Sequence, residues 1–379
     1  MSQSLGGGRP YEGFFSIAAL GLLAAIALPL SGEPAEKIYA RPLLLALALA
    51  AAALFYAAGR LAPRTSIGAG LGGVIAGSGI CLELLADPAI SGNAGVGFWV
   101  AVLAIWLAAG LCVSRLAALR PKGEFAMRAV NLAIPLIFGA AVIFLWEVAV
   151  RGFGVPAVLM PAPSATAVRF VHSLPMLWDD FVQTFILGML TGYVIGCGAG
   201  FFVAIIANRY TFLGQGLLPI GNFVSALPIV GIAPIMVMWF GFDWPSKAAV
   251  VAIITFFPML VNTLAGLAAA GHIERDLMRS YGASHIQTLG KLNLPAAMPF
   301  VFNALKINST LAFIGAIVAE FFGTPTQGIG FRISIEAGRM ALDVVWAEIA
   351  LAAIAGMAFY GIVALAERAT TFWHPSYRT

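Results

Sequence analysis

Charge is what this chain has least of. Asp, Glu, Lys and Arg make up 10% of its 379 residues, against roughly a quarter in a soluble domain. With 61% hydrophobic residues and a mean hydropathy of +0.94, that scarcity excludes a water-soluble globule. Cysteine is sparse too. Cys81, Cys112 and Cys197 lie in apolar runs without paired-thiol or metal-ligand spacing, which excludes a disulfide framework and a zinc site. No G-x-x-x-x-G-K-[ST] phosphate loop occurs, so nothing in the chain reads as an ATP-hydrolysing motif. Metal-ligand clusters and nucleophile-and-base arrangements are missing as well. The chain is therefore read as not an enzyme, with no catalytic residue, no metal and no cofactor of its own. Its net charge of +4 is scattered over loops, which argues against nucleic acid as a partner.

What is abundant is apolar sequence in membrane-sized runs. A hydrocarbon core of about 30 Å takes roughly 20 apolar residues as a helix. Ten such runs lie near residues 14–30, 42–58, 67–86, 97–114, 130–150, 181–207, 217–240, 248–270, 299–322 and 343–366. The expected fold is an all-α polytopic membrane protein of about ten transmembrane helices in contact with lipid. The first run lacks a convincing cleavage site and is read as a retained span rather than a signal peptide. Counting basic residues in alternate loops gives 13 on the side that holds both termini and seven on the other. The positive-inside rule then places both termini in the cytoplasm. The largest basic linker, "RLAALRPKGEFAMR" at 115–128, divides a four-span extension (1–120) from a six-span core (121–379).

The core interrupts itself at 271–298 with a polar, basic stretch. Within "HIERDLMRSYG", Ile273, Leu277, Met278 and Tyr281 recur at helical spacing, and Gly282 is a natural stop. Ser284 followed by Gln287 fits a capping box, after which Ile286, Leu289 and Leu292 form a second stripe. The segment reads as helix, glycine break, helix, with Pro295 and Pro299 fixing where the next membrane helix begins. Such an element either lies on the membrane surface or docks into a partner's groove.

"DLMRSYGASHIQTLGKLNLP" resembles the cytoplasmic loop of binding-protein-dependent ABC importer permeases, with the pattern E-A-A, three residues, Gly, nine residues, an aliphatic, one residue, Leu-Pro. Asp276 stands where that pattern has Glu, and Gly282, Leu292, Leu294 and Pro295 match it. Leu277 and Met278 replace the two alanines, which alters the close packing there. "WEVAVRGFGVPAVLMPAPSA" (146–165), "GMLTGYVIGCGAG" (188–200), "LPIVGIAPIMVMWFGF" (227–242), "FFPMLVNTLAG" (256–266) and "LAFIGAIVAEFFG" (311–323) resemble the branch handling sulfonates, taurine, nitrate and pyrimidine vitamin precursors. The resemblance implies a type I importer permease in the inner membrane, moving a small solute by alternating access. It implies separate ATPase subunits that bind ATP and Mg, a periplasmic or lipid-anchored solute-binding protein, and a second permease copy, as a homodimer or with a similar subunit. The residues it assigns to ATPase coupling are Asp276, Arg279, Gly282, Ala283, Ser284, Leu294 and Pro295.

Other residues carry mechanical readings. Gly188, Gly192, Gly196 and Gly200 recur every four positions and let another helix approach closely. Pro219, Pro228 and Pro234 should kink or unwind the run at 217–240, making it a candidate for the translocation path. Ser225, Asn262 and Asn308, from three spans, are the candidate path-lining residues. Glu147 and Glu320 are read as anchoring loops near span ends and Lys306 as reaching to water, while Glu83 is open between a functional carboxylate in its span and a residue near the outer interface. The competing readings are an ion-coupled secondary transporter and a membrane sensor or assembly protein built on the front four spans.

Overall fold

The computed structural model of this chain describes residues 12–32, 37–38, 41–121, 123–225, 227–323 and 327–373. Packing divides them after Thr166 into two units.

The front unit is built on α1 (Glu12–Ala27), α2 (Pro42–Arg60), α3 (Pro63–Leu84) and α4 (Val96–Ala118). Proline in the first turn of α2 and of α3 costs no intrahelical hydrogen bond there. Phe15, Phe55, Phe98 and Ile105 fill the interior between small residues. Gly70 lies against Phe15, and Gly73 lies against the Phe55 ring, so the thin α3 lets aromatic rings seat on its backbone. Buried Arg115 of α4 donates to Ala58 O (2.9 Å) and to Ser66 Oγ, tying α4 to the turn between α2 and α3. α5 (Glu124–Gly152) follows the basic linker in sequence yet packs with this unit. Phe153, just past its end, stacks on Trp99 with ring centroids 4.1 Å apart, and Arg151 donates to Leu85 O at 2.7 Å. The packing boundary therefore falls later than residue 120, where the sequence shifts in charge.

The rear unit contains α6 (Pro163–His172, which straddles the division), α7 (Leu174–Phe181), a π segment (Val182–Leu190), α8 (Thr191–Arg209), α9 (Thr211–Ser225), α10 (Ile229–Phe240) and α11 (Trp244–Ala268). It continues with α12 (His272–Ser280), α13 (His285–Thr288), a second π segment (Leu289–Asn293), α14 (Leu294–Glu320), α15 (Ile329–Gly338) and α16 (Leu342–Thr370). Its core gathers Met189, Tyr193, Cys197, Val251, Met259, Val301, Phe313 and Ala316 from α8, α11 and α14 and the first π segment.

Eight helices among the described residues are long and apolar enough to cross a membrane. The other two of the ten expected spans take shorter forms. α1 has 16 residues. The run at 217–240 is divided into α9 and α10, because a residue preceding proline is pushed out of the helical region and Pro228 itself has ψ 125°.

One boundary differs from the sequence expectation. Pro295 and Pro299 do not begin a separate membrane helix, since helical backbone runs unbroken from His285 to Glu320. Pro295 falls in the first turn after the second π segment, and the wider π turn absorbs the irregularity a proline introduces.

Candidate coupling element and buried polar sites

The segment at 271–295 forms the helix, break and helix that its pattern requires. α12 ends in a Schellman arrangement, with Gly282 at φ 63°. The Gly282 amide donates to Arg279 O (2.9 Å), and that of Ala283 donates to Met278 O (3.0 Å). Ser284 then caps α13: the Gln287 amide donates to Ser284 Oγ (3.3 Å), and the Ser284 amide donates to Gln287 Oε1 (2.8 Å).

No residue of α12 or α13 is buried. Ile273, Leu277, Tyr281 and Ile286 keep between 55% and 81% of their surface exposed, an apolar stripe that nothing in the chain covers among the described residues. The two ends of the segment are rooted. Arg275 donates to Leu267 O (3.2 Å) and Ala268 O (3.0 Å) at the end of α11, while Leu289 and half-buried Leu294 pack on the rear core. Pro295 is half-buried beside Leu294. Asp276 pairs with Arg279 at 3.4 Å, but both are exposed, so this pair contributes little.

Gly188, Gly192, Gly196 and Gly200 all face α11. A side chain at Gly192 would meet Ala248 O and Val251; one at Gly196 would meet Ala252 and Thr255; one at Gly200 would meet Phe256 O and Met259. At Gly188, in the π segment, it would meet Lys247 Cβ at 3.3 Å. The four-residue spacing thus lets α8 and α11 touch backbone to backbone.

The candidate path residues differ in what they touch. Asn308 is fully buried and donates to Thr255 O (2.8 Å) and Cys197 Sγ (3.2 Å), joining α14 to α11 and α8. Asn262 is half-buried and donates to Pro258 O (2.8 Å) in its own helix. The Ser225 side chain lies outside the described residues.

Lys306 does not simply reach to water. Its Nζ stands 2.7 Å from Glu367 Oε2 on α16, pairing two charges that are both largely enclosed. Glu147 accepts from the amide and the hydroxyl of Ser164 (2.8 and 2.7 Å), which ties down the connection after α5. Glu83 is exposed.

A buried ionic cluster escaped the sequence reading apart from Glu320, which anchors the start of α15 through Gly330 N as a loop anchor would. It lies at the end of the rear unit opposite α12. Lys247, one of the seven basic residues that the charge count places in the outer loops, is 1% exposed. α11 begins at Trp244, capped by Asp243, so Lys247 falls in its first turn and donates to Phe242 O (2.6 Å), Asp243 O (3.2 Å) and Gly323 O. Nearby, buried Asp180 accepts from Arg332 Nε (2.8 Å), buried Glu320 accepts from Thr184 Oγ1 (2.8 Å), and Glu348 is fully buried. The bonds to Asp180 hold the Arg332 guanidinium even more firmly protonated than usual. The available signal was Glu348 itself, a carboxylate inside the apolar run 343–366.

With this geometry in view, comparison with known proteins is specific. Residues 192–372 match the family described as "Binding-protein-dependent transport system inner membrane component". The riboflavin transport system permease protein of Chloroflexus aurantiacus is 28% identical over 247 residues, covering 65% of this chain and 91% of that protein. A putative aliphatic sulfonates transport permease protein of Bacillus subtilis is 28% identical over 245 residues, 64% of this chain and 88% of its own length. The taurine transport system permease protein of Escherichia coli is 33% identical over 162 residues, 42% and 58% of the two chains.

Proposed function

Since the rear half of this chain belongs to the family of binding-protein-dependent ABC transport permeases, we propose that the chain is the membrane subunit of an ATP-driven importer for a small organic solute. The solutes in the names of its relatives, riboflavin, aliphatic sulfonates, taurine and formylaminopyrimidine, bound the chemical class. A solute-binding protein delivers the solute on the outer side of the inner membrane. Two permease cores, each corresponding to 121–379, form the pathway between them, and the front four spans are an addition to that core. Both termini face the cytoplasm, as does the coupling segment. ATP and Mg bind to separate ATPase subunits.

The observation that carries this reading is the uncovered stripe of Ile273, Leu277, Tyr281 and Ile286 on a segment that is capped, glycine-broken and rooted at both ends. Exposed apolar side chains on an internally rigid element fit a groove in a partner. The ATPase is that partner, and Asp276, Arg279, Gly282, Ala283, Ser284, Leu294 and Pro295 form or position the contact. Sliding of α8 on α11 along the glycine ladder accompanies the switch between outward and inward access. Ser225, Asn262 and Asn308 belong to the path.

Co-purification with the ATPase, comparing wild type with Gly282→Pro, tests the reading. Proline cannot adopt φ 63°, so the variant loses the break and should release the ATPase while still inserting. If wild type itself retains no ATPase, the coupling reading fails. Uptake that persists without ATPase would favour an ion-coupled carrier.

A further inference from the structure

Three consecutive amides open α15, and each is bound by a buried side chain from elsewhere. Gly328 N donates to Asp180 Oδ1 (2.6 Å), Ile329 N to Thr184 Oγ1 (2.8 Å) and Gly330 N to Glu320 Oε2 (2.7 Å). The acceptors come from α7, the first π segment and α14. Arg332, one turn further on, reaches back to both oxygens of Asp180 at 2.8 and 3.3 Å. Before α15, Lys247 holds Gly323 O. Gly323 and Gly328, on either side of residues 324–326, are thus each held by a buried ionisable group. Gly328, at φ 130°, brings its backbone against the Glu320 carboxylate, where a Cβ would clash.

Glu348 is the member left over. It is fully buried on α16, beside Asp180 and within the fields of Arg332 and Glu320. Neither carboxyl oxygen receives a bond from an N–H or hydroxyl donor among the described residues, and the side chain it meets, Asp180, is itself an acid. Two buried carboxyls side by side, only one of them held by a cation, are costly and call for an explanation. One explanation is a second arrangement in which that group is satisfied, and the donor-rich neighbour able to satisfy it is Arg332, now engaged on Asp180.

Glu320 also closes a longer mechanical link. It is the last residue of the helical run that begins at His285 in the coupling segment, about 54 Å away at 1.5 Å per residue. Displacement of that run at one end moves, at the other, the carboxylate that holds both Gly330 and Thr184.

We propose that this cluster is the latch of the outer gate: Asp180, Thr184 and Glu320 hold the start of α15 closed, and Glu348 receives Arg332 when the latch opens. These are positioning residues for transport, and the assignment of the cluster to the outer side rests on the functional reading above. Loss of a holding bond favours the open arrangement, whereas loss of the receiving carboxylate favours the closed one. Damage to folding alone would push both variants the same way.

The test is the rate at which a membrane-impermeant maleimide labels Ile329→Cys in right-side-out vesicles carrying the full chain; the three native cysteines are buried. Adding Glu320→Gln, which leaves one of two donors unanswered, should raise the rate about tenfold. Adding Glu348→Gln should lower it. Should Ile329→Cys fail to accumulate, Ile333→Cys, half-buried on the same helix, takes its place. Rates that rise in both variants, or that move in neither, overturn the latch. The same labelling with ATPase and a non-hydrolysable ATP analogue separates the two ideas: opposite shifts without any nucleotide effect would keep the latch and sink the coupling reading.

Discussion

Ser284 and Gln287 bond each other reciprocally, backbone to side chain in both directions, at 2.8 and 3.3 Å. This closed pair satisfies two free amides at the start of α13 without help from the rest of the chain. It makes the coupling segment a preformed shape rather than one that orders on contact.

Ser284→Ala should therefore weaken the segment by about 1 kcal/mol and lower ATPase affinity by roughly fivefold. Membrane insertion and the melting temperature of the spans should not change. Titration of purified permease with ATPase measures this, and unchanged affinity would mean that the preformed cap does not matter to docking.

Gly196 and Gly198 form an internal control. A side chain at Gly196 would press on Ala252 and Thr255, while nothing stands within 4 Å of one at Gly198. Gly196→Leu should destabilise by several kcal/mol, since the obstacle is helix backbone, whereas Gly198→Leu should fall within about 0.5 kcal/mol of wild type. Thermal unfolding in detergent separates them.

Lys306 and Glu367 should behave as a unit. Lys306→Met alone strands an enclosed carboxylate and should cost about 3 kcal/mol, while the double change Lys306→Met with Glu367→Leu should recover most of it. A double-mutant cycle in thermal stability is the check, and additive losses would show the pair to be uncoupled.

Asn262 and Asn308 make a test of the path. Asn308→Ala removes a bond to Thr255 O in a dry interface, so stability should drop by about 1 to 3 kcal/mol. Asn262→Ala should leave stability nearly unchanged, because its bond stays within one helix. A raised KM for uptake with either variant at normal permease abundance would support contact with solute; stability loss alone would leave the residue as a helix tie.

In the front unit, the Asp87 carboxyl is held below its ordinary value, first by the Ala89 amide and then by Arg41, which also pairs with it. A lowered acid stabilises the fold at all pH above its unfolded value, near 4, and this contribution is lost as pH falls through the lower folded value. Front-unit stability should thus carry the full contribution of this pair at neutral pH and not vary with pH there on its account. Asp87→Asn should remove part of the decline below about pH 4, as read by melting temperature against pH.

The helix content, the capped and glycine-broken coupling segment, the glycine ladder and the proline break between α9 and α10 were legible along the chain. Each rests on residues within about one or two turns of one another: Gly282 needs only its own φ, Ser284 only Gln287, and the glycine ladder only its four-residue repeat. Of the latch cluster only Glu320 was legible, as a loop anchor; its partners were not. Asp180 meets Gly328 across 148 positions, and Lys247 meets Gly323 across 76. No local period marks such partners, and Lys247 looked like any loop cation until the start of α11 enclosed it. By itself the sequence determined what each segment becomes, because hydrophobic period, caps and breakers act through neighbouring backbone groups. Only the tertiary structure decided which buried charges meet, because a sealed carboxylate is satisfied by whichever donors the packed helices bring within 3 Å of it.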